Sequence, residues 1–526
     1  MIENTKMAHY DLKTLVNYFG VSLNNVCSLA SLPFENQIIE QLRLDSRQVK
    51  PNDLFIALKG QSHDGREFIP QAVMSGAIAI LAETDNSVED KTLSYFTFDG
   101  KKIPQINIYQ LANRISAFAN EFYDHPSSKM KVIGVTGTNG KTTVTQLIAQ
   151  WASLIGQKSA VLGTVGNGVY GKLTPSANTT SSSIEIQSYL AAFLAEDVKI
   201  VAMEVSSHGL ALGRVQDVSY AASLFTNLSR DHLDFHHTIK NYKNAKWSLF
   251  SPLTKELAVK HSGKRVINYD DKVGRAWINK LEDAVVVSTQ PEYLTKIRAL
   301  GKAYIGISSI EYHDKGVSLY FDSSFGNGVL ESRLFGSFNV SNLLLALGAL
   351  LALGFPFFAL INTVPHLSPV CGRMEIFAVK NKPTVIVDYA HTPDALDKAL
   401  FAAKEHCHGK LWVIFGCGGD RDRGKRPLMA NVAQSYTDNI IVTNDNPRTE
   451  DPDTIIHDIM AGFTEPNQIN IVKDRVTAIR WAIDHSNEND IILVAGKGHE
   501  DYQIIGQTKH HYSDRETVSD LLGMTL

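Results

Sequence analysis

The 526-residue sequence predicts an α/β protein of three domains: a small N-terminal α/β domain over residues 1–128, a central parallel-sheet domain over 129–364 and a C-terminal Rossmann-like domain over 365–526. Three observations lead there. Ordinary domains hold about 100–200 residues, so one core is too few for this length. Short apolar, β-branched runs alternate with longer helix-compatible segments, the pattern of parallel sheets covered on both faces. Those runs end in polar or glycine-rich clusters, and open parallel sheets bind ligands beyond the carboxyl ends of their strands.

The first 128 residues differ from the rest, with LDSRQVKPNDLFIALKG from Leu44 and SHDGREF from Ser62 set among short apolar pieces. Asp124–Ser128, DHPSS, reads as a linker into the next domain, and Pro365–Pro369 as a second. Central strands are predicted at Lys131–Val135, Ile200–Val205 and Ala221–Phe225, with a helix over Thr142–Leu154. In the last third the strands are Thr384–Val387, Leu411–Phe415, Asn439–Val442 and Ile491–Val494, with a helix over Pro393–Glu405. Leu343–Ile361 is uncharged, but Gly354 and Pro356 divide it. A helix ending near Leu353 falls short of the roughly 20 residues a membrane span requires. A buried helix with Asn339 and Asn342 in its first turn is expected, and no membrane insertion.

Composition excludes several classes. An apolar fraction of 44% and a charged fraction of 20% are those of a globular chain. A net charge of −4 supplies no basic field for nucleic acid. Cys27, Cys371, Cys407 and Cys417 are scattered with no CxxC pair, so neither disulfides nor structural zinc are expected. Met1–Leu15 mixes charges with short apolar stretches and contains no signal segment, so a cytoplasmic location is expected.

The strongest chemical signal is GVTGTNGKTT at Gly134–Thr143, between a predicted strand and a predicted helix. Gly137 and Gly140 let backbone N–H groups approach phosphate oxygens. Lys141 brings a cation, and the Thr142 hydroxyl can ligate Mg²⁺. Val135 stands where the strict GxxxxGK[ST] pattern needs its first glycine.

With that departure, TGTNGKTT resembles the phosphate loop of the Mur ligase and folylpolyglutamate synthetase group. The resemblance extends, in order, through EVSSH at Glu204–His208, TNLSRDHLDFH at Thr226–His236, AKW at Ala245–Trp247, GRME at Gly372–Glu375 and DYAHTP at Asp388–Pro393. It implies ATP-dependent amide formation, in which ATP phosphorylates a carboxylate and an amine displaces the phosphate. Gly137, Thr138, Asn139, Gly140, Lys141, Thr142 and Thr143 would then hold ATP, together with Asn339, Asn342, Arg373 and Asp388. Thr142, Glu204, His232 and Lys246 would serve magnesium, with Lys141, Glu204, His232 and Lys246 forming the catalytic set. Lys246 resembles the family's carbamylated lysine, whereas a lysine in YKNAKW read by itself is a solvated helix face. If Arg373 arrives only on domain closure, the acyl phosphate is shielded from water.

The substrates follow from the same resemblance. Ser46, Arg47, His63, Asp64, Gly65, Arg66, Thr179, Thr180, Ser206 and Arg214 match positions that contact a UDP-muramoyl dipeptide. Leu212 replaces an expected Gln, and Ser181 replaces the usual Pro after NTT, so contacts in that loop are expected to be rearranged. For the amine, DNPR at Asp445, Asn446, Pro447 and Arg448 resembles the branch that adds meso-diaminopimelate, joined by Arg421, Gly496 and Glu500. Chemistry agrees, since diaminopimelate carries a distal carboxylate that a guanidinium can bind through two parallel hydrogen bonds, and lysine lacks it. The chain is expected to act as a monomer. Competing readings are a lysine-adding ligase, a folate-type amide ligase, and a nucleotide-dependent binding or regulatory module without ligase activity. LDSR, HDGR and DNPR argue against folate ligation.

Overall fold

A computed structural model describes residues 10–21, 37–60, 63–176, 178–250, 261–313 and 316–525; Cys27 lies outside them. The chain divides into two compact units. One comprises Met1–Gly137, Gln157–Ser223 and Ser229–Gly263; the other comprises Thr138–Gly156, Leu224–Leu228 and Lys264–Leu526.

The first unit opens on a sheet with strand order Leu42–Arg43, Leu54–Ala57, Ala79–Thr84, Lys101–Tyr109 and Thr92–Phe98. Its first four strands are parallel and the last is antiparallel. Every residue of Leu54–Ala57 is buried because the sheet is covered on both sides. Leu54 and Ile56 pack with Leu15, Phe118 and Phe122, while Phe55 and Ala57 pack with Ile69 and Val73. Lys131–Thr136 pairs in parallel with Ile200–Glu204, which pairs in parallel with Ser159–Leu162. An antiparallel hairpin, Asn167–Val169 with Lys172–Thr174, continues from there. The Asp124–Ser128 segment read as a linker is packed: Pro126 and Ser127 are buried, and the Ser127 hydroxyl accepts from the Ser219 N–H at 3.0 Å.

In the second unit the helix Lys141–Leu154 packs on the helix Ser337–Ala352. The latter carries the first part of the uncharged segment Leu343–Ile361 and is buried along most of its length; the rest continues into the helix Phe357–Thr363. Among the described residues no helix is long and apolar enough to cross a membrane. Parallel strands His261–Asn268 (in this unit from Lys264 onward), Ala284–Ser288 and Ala303–His313 lead into an antiparallel meander of Gly316–Ser323 and Gly326–Ser332. The final sheet has the order Glu375–Phe377, Thr384–Asp388, Ile491–Ala495, Leu411–Phe415, Asn439–Val442 and Asn470–Ile471, and only its first strand is antiparallel. Separate apolar clusters cover its two faces.

One buried histidine ties the helix Pro393–Glu405 to the start of Ser337–Ala352. The His406 ring stacks on Phe335 with centroids 3.9 Å apart. Its Nε2 accepts from the Gly336 N–H at 3.2 Å, which leaves Nδ1–H to donate to the His313 carbonyl at 3.0 Å. That pattern requires a neutral ring, and burial lowers the imidazole pKa accordingly.

Candidate active site

The phosphate-loop sequence takes the strand-to-helix form its residues predict. Gly137 and Gly140 have φ of 156° and 86°, and the helix starts at Lys141. A network from Thr226 and Asn227 fixes the loop: the Thr138 N–H donates to the Asn227 carbonyl, the Asn139 N–H donates to Asn227 Oδ1, and the Thr226 hydroxyl donates to the Asn139 carbonyl at 2.6 Å. Lys141 Nζ donates to the Thr138 carbonyl at 2.8 Å, while Thr142 and Thr143 are buried at the helix start. A side chain at Gly140 would place Cβ 2.5 Å from Asn342 Oδ1. Asn342 is itself held, donating to Asn339 Oδ1 at 3.2 Å, and Asn339 donates to the Phe335 carbonyl at 2.9 Å.

A cavity of about 550 Å³ in the second unit is lined by Asn139, Gly140, Thr143, Asn342, Arg373 and Asp388, with Asn268, Asp270 and Asp271 on its wall. Its size suits a nucleotide-sized ligand. The Arg373 guanidinium lies over the Tyr389 ring at 4.4 Å, and its buried Nε has no hydrogen-bond partner among the described residues. Asp388 accepts from the backbone N–H groups of Met374 and Ala390. Burial pushes its pKa up, against the pull of Arg373 and those N–H donors. Asp270 and Asp271 follow a strand end, the one signal that could have drawn attention to them. Asp270 receives Ser288 and Thr289 hydroxyls, and Asp271 caps the next helix.

In the first unit, Glu204 ends its strand only 1% exposed. Its carboxylate accepts from the Thr164 N–H at 2.8 Å and the Thr164 hydroxyl at 3.2 Å. Gly163 is required beside it, because a Cβ there would lie 2.4 Å from Oε1. Lys246 is likewise 1% exposed, contrary to the solvated face that its local sequence suggests by itself. Its Nζ donates to the Gly137 carbonyl at 2.6 Å and lies over the Tyr242 ring. His232 has φ of 52° and packs edge-on against His208, with ring centroids 4.9 Å apart. Thr180 links the neighbouring segments: its hydroxyl donates to the Glu204 carbonyl and accepts from the Ser206 N–H, while Arg214 donates to its carbonyl at 2.8 Å. The Thr179 hydroxyl oxygen lies 3.2 Å from that of Thr164. Of the two departures, Ser181 accepts from Asn167 at 3.4 Å and Leu212 is exposed at a helix end.

The N-terminal residues also converge. Asp45, Ser46, Arg47, His63 and Gly65 line a cavity of about 440 Å³. Arg47 is held by Asp45, and Arg66 by both Asp64 and Asp85, which raises the guanidinium pKa through the Asp64 hydrogen bonds. A Cβ at Gly65 would meet the Leu58 carbonyl at 2.6 Å, so this backbone approach needs glycine.

At the carboxyl edge of the last sheet, DNPR and GKGHE interlock. Arg448 has φ of 52°, and its backbone pairs with Ile504 and Gly506. Its guanidinium donates to the Gly419 carbonyl at 2.8 Å, and Arg421, mostly exposed, donates to the Asp420 carbonyl. Gly418 is bordered by both arginines, with Arg448 Nη1 only 2.8 Å from where its Cβ would lie. Asn446 donates to Glu500 at 3.1 Å. Pro447 precedes Arg448 in the turn, its carbonyl 1.9 Å from where a Cβ on Gly419 would lie. At Gly496, φ is 120° and a Cβ would lie 2.8 Å from Asp445 Oδ2. Burial raises the Glu500 pKa. Lys497, absent from the sequence-derived set, sits in the middle of this group.

An α/β chain with a glycine loop between strand and helix and a nucleotide-sized cavity beside it has the elements of a nucleotide-dependent enzyme, and its relatives make the class a ligase. Family models match as the Mur ligase middle domain over residues 135–350, the Mur ligase glutamate ligase domain over 372–498 and the Mur ligase family catalytic domain over 38–123. The chain belongs to the Mur ligase family. A UDP-N-acetylmuramoyl-L-alanyl-D-glutamate–2,6-diaminopimelate ligase of Haemophilus influenzae is 50% identical over 502 residues, 95% of this chain and 100% of that one. A solved structure of a ligase with that description is 33% identical with a TM-score of 0.65, covering 94% of this chain and 96% of its own. A Mycobacterium tuberculosis folylpolyglutamate synthase complexed with ADP and AMPPCP shares the fold, with a TM-score of 0.56 at 18% identity over 73% of this chain and 92% of its own.

Proposed function

We propose that the chain is an ATP-dependent ligase joining meso-diaminopimelate to the D-glutamate carboxylate of UDP-N-acetylmuramoyl-L-alanyl-D-glutamate, a step in peptidoglycan precursor synthesis. The observation that carries this reading is the meeting of phosphate loop, Asn342, Arg373 and Asp388 on one cavity, in a chain 50% identical to a ligase of that name. Lys141 and Arg373 neutralise phosphate charge, so that the γ-phosphoryl group can pass to a carboxylate that would otherwise repel it. ADP leaves, the amine attacks the acyl carbon, and phosphate departs as the amide forms.

Magnesium is the ion that hydroxyl, carboxylate and carbamate oxygens would take. Among the described residues no three His, Cys, Asp or Glu side chains cluster to hold a metal. Carbamylation of buried Lys246 would convert an amine into an anionic oxygen donor to act with Glu204 and His232 of the same unit. Bound there, the ion would stabilise charge on the transferring phosphoryl group.

The N-terminal cavity around Ser46, Arg47 and His63 would take the nucleotide sugar, with Asp64, Gly65 and Arg66 shaping its rim and Thr179, Thr180, Ser206 and Arg214 near the peptide. Domains of 1–128, 129–364 and 365–526 would then hold UDP-sugar, ATP and amino acid respectively, in a cytoplasmic monomer. The deciding assay offers UDP-muramoyl-L-Ala-D-Glu with radiolabelled diaminopimelate or lysine. ATP-dependent tripeptide with diaminopimelate is expected; ATP hydrolysis indifferent to both substrates would overturn the ligase reading in favour of a nucleotide-driven module.

The loop geometry carries its own prediction. Gly140→Ala combines a left-handed φ with a contact against an immobilised Asn342. ADP binding measured by calorimetry is expected to weaken about tenfold, the equivalent of about 1.4 kcal/mol, while binding of the UDP-sugar substrate is unchanged.

A further inference from the structure

Lys497 is completely buried, yet none of the roles above uses it. Its Nζ donates to Asn446 Oδ1 at 3.0 Å and to the Tyr502 carbonyl at 2.7 Å. Two carboxylates flank it, Asp445 Oδ1 at 3.5 Å and Glu500 Oε2 at 3.6 Å. One ammonium between two carboxylates leaves a net charge of about −1 when all three are ionised. The cluster is also graded in depth: the lysine side chain is 0% exposed and that of Glu500 16% exposed. The unsatisfied negative charge therefore lies on the open side.

Lys497 also shares in setting the orientation of an amide. Asn446 Oδ1 accepts from both Lys497 and the Ile504 N–H at 2.9 Å, so Nδ2 is the atom turned to Glu500. A side-chain amide can face either way, and here the lysine and the Ile504 N–H, both donating to Oδ1, fix it together. Asp445 is anchored separately, through its carbonyl to Gln503 and by the close approach of Gly496.

We propose that Lys497 is a positioning and specificity residue that holds Asn446 and Glu500 as an anionic cradle for an ammonium group of the incoming amino acid. The inference rests on the assignment of DNPR and GKGHE to the amine substrate and deepens it. Glu500 must be ionised to work. Burial raises its pKa, Lys497 opposes that, and Asp445 adds to it. Tyr389 and Tyr502 also face Glu500, Arg448 lies near Tyr502, and Arg475 near Asp445 is neutralised by Asp514. Removing the lysine leaves two close carboxylates with no cation between them, so Glu500 keeps its proton to higher pH.

The test uses the full-length enzyme and its Lys497→Met, Lys497→Gln and Glu500→Gln variants, with KM for diaminopimelate followed across pH. In the parent, KM is expected to rise as pH falls through the Glu500 pKa. Lys497→Met and Lys497→Gln should raise KM for diaminopimelate about tenfold or more at neutral pH, shift that rise to higher pH, and leave KM for ATP near the parent value. Glu500→Gln should raise KM and abolish the pH-dependent limb. A KM within about twofold of the parent in either lysine variant, or a loss with the limb unmoved, overturns the role of Lys497. If neither lysine variant folds, the parent and Glu500→Gln decide, and an unaltered limb in Glu500→Gln overturns the cradle. Failure of the underlying assignment is distinct: the parent would then not consume diaminopimelate, or Glu500→Gln would bind it normally.

Discussion

Lys141→Ala is expected to lower the rate of ADP formation with both substrates present by about a thousandfold, the scale seen when a cation on a transferring phosphoryl group is removed. The argument is geometric before it is electrostatic. Lys141 is the first residue of its helix, and its ammonium is folded back onto the Thr138 carbonyl of the same loop at 2.8 Å. The loop's shape does not depend on that bond, because Thr226 and Asn227 fix the Thr138–Asn139 backbone by three others. Truncation therefore removes charge while leaving the cradle. Thermal unfolding should change little, and UDP-sugar binding should persist. Lys141→Arg should recover only a small part of the rate, since a planar guanidinium does not reproduce a point charge at the same reach. A loss of less than tenfold in single-turnover ADP formation would remove Lys141 from the phosphoryl-transfer step.

The sequence exposed the parts of the fold that obey one strong rule. Leu411–Phe415 and Asn439–Val442 are strands at the predicted residues because both faces of a parallel sheet are covered, so apolar character is continuous. The meander Gly316–Ser332 escaped for the opposite reason. Val329 and Tyr320 are exposed while Leu330 and Leu319 are buried, and polar residues interrupt any run. Ser159–Leu162 is only four residues long and gives no periodicity to read.

At the site, ordered motifs carried the identities but could not carry environment. YKNAKW reads as a surface helix, yet Lys246 is buried, with the carbonyl of Gly137, more than a hundred residues away, receiving its ammonium. Lys497 is not legible in a motif whose neighbours are, because nothing local distinguishes a buried lysine from a solvated one. Thr164 and Asn227 were likewise invisible: one holds Glu204 and the other the phosphate loop, and both act through tertiary contacts.

Arg448→Ala is the substitution expected to change what is ligated rather than whether ligation occurs. The Arg448 backbone is pinned independently of its side chain, its N–H donating to the Ile504 carbonyl and its own carbonyl accepting from Gly506. Alanine meets the same left-handed φ of 52° that arginine already tolerates, so the turn should persist. What disappears is a guanidinium beside Gly418 whose one described hydrogen bond is to the Gly419 carbonyl, leaving donors to spare for a carboxylate. Two charge-assisted hydrogen bonds at about 1.5–3 kcal/mol each would be lost for diaminopimelate. Lysine loses nothing and escapes repulsion between its own ammonium and the guanidinium. The ratio of kcat/KM for diaminopimelate over lysine is therefore expected to fall by about a hundredfold or more, with lysine slightly improved. Arg448→Lys should resemble alanine in this ratio, because a single ammonium cannot make the paired contact. An unchanged ratio in Arg448→Ala would leave Arg421, which borders the same glycine, as the group that reads the distal carboxylate.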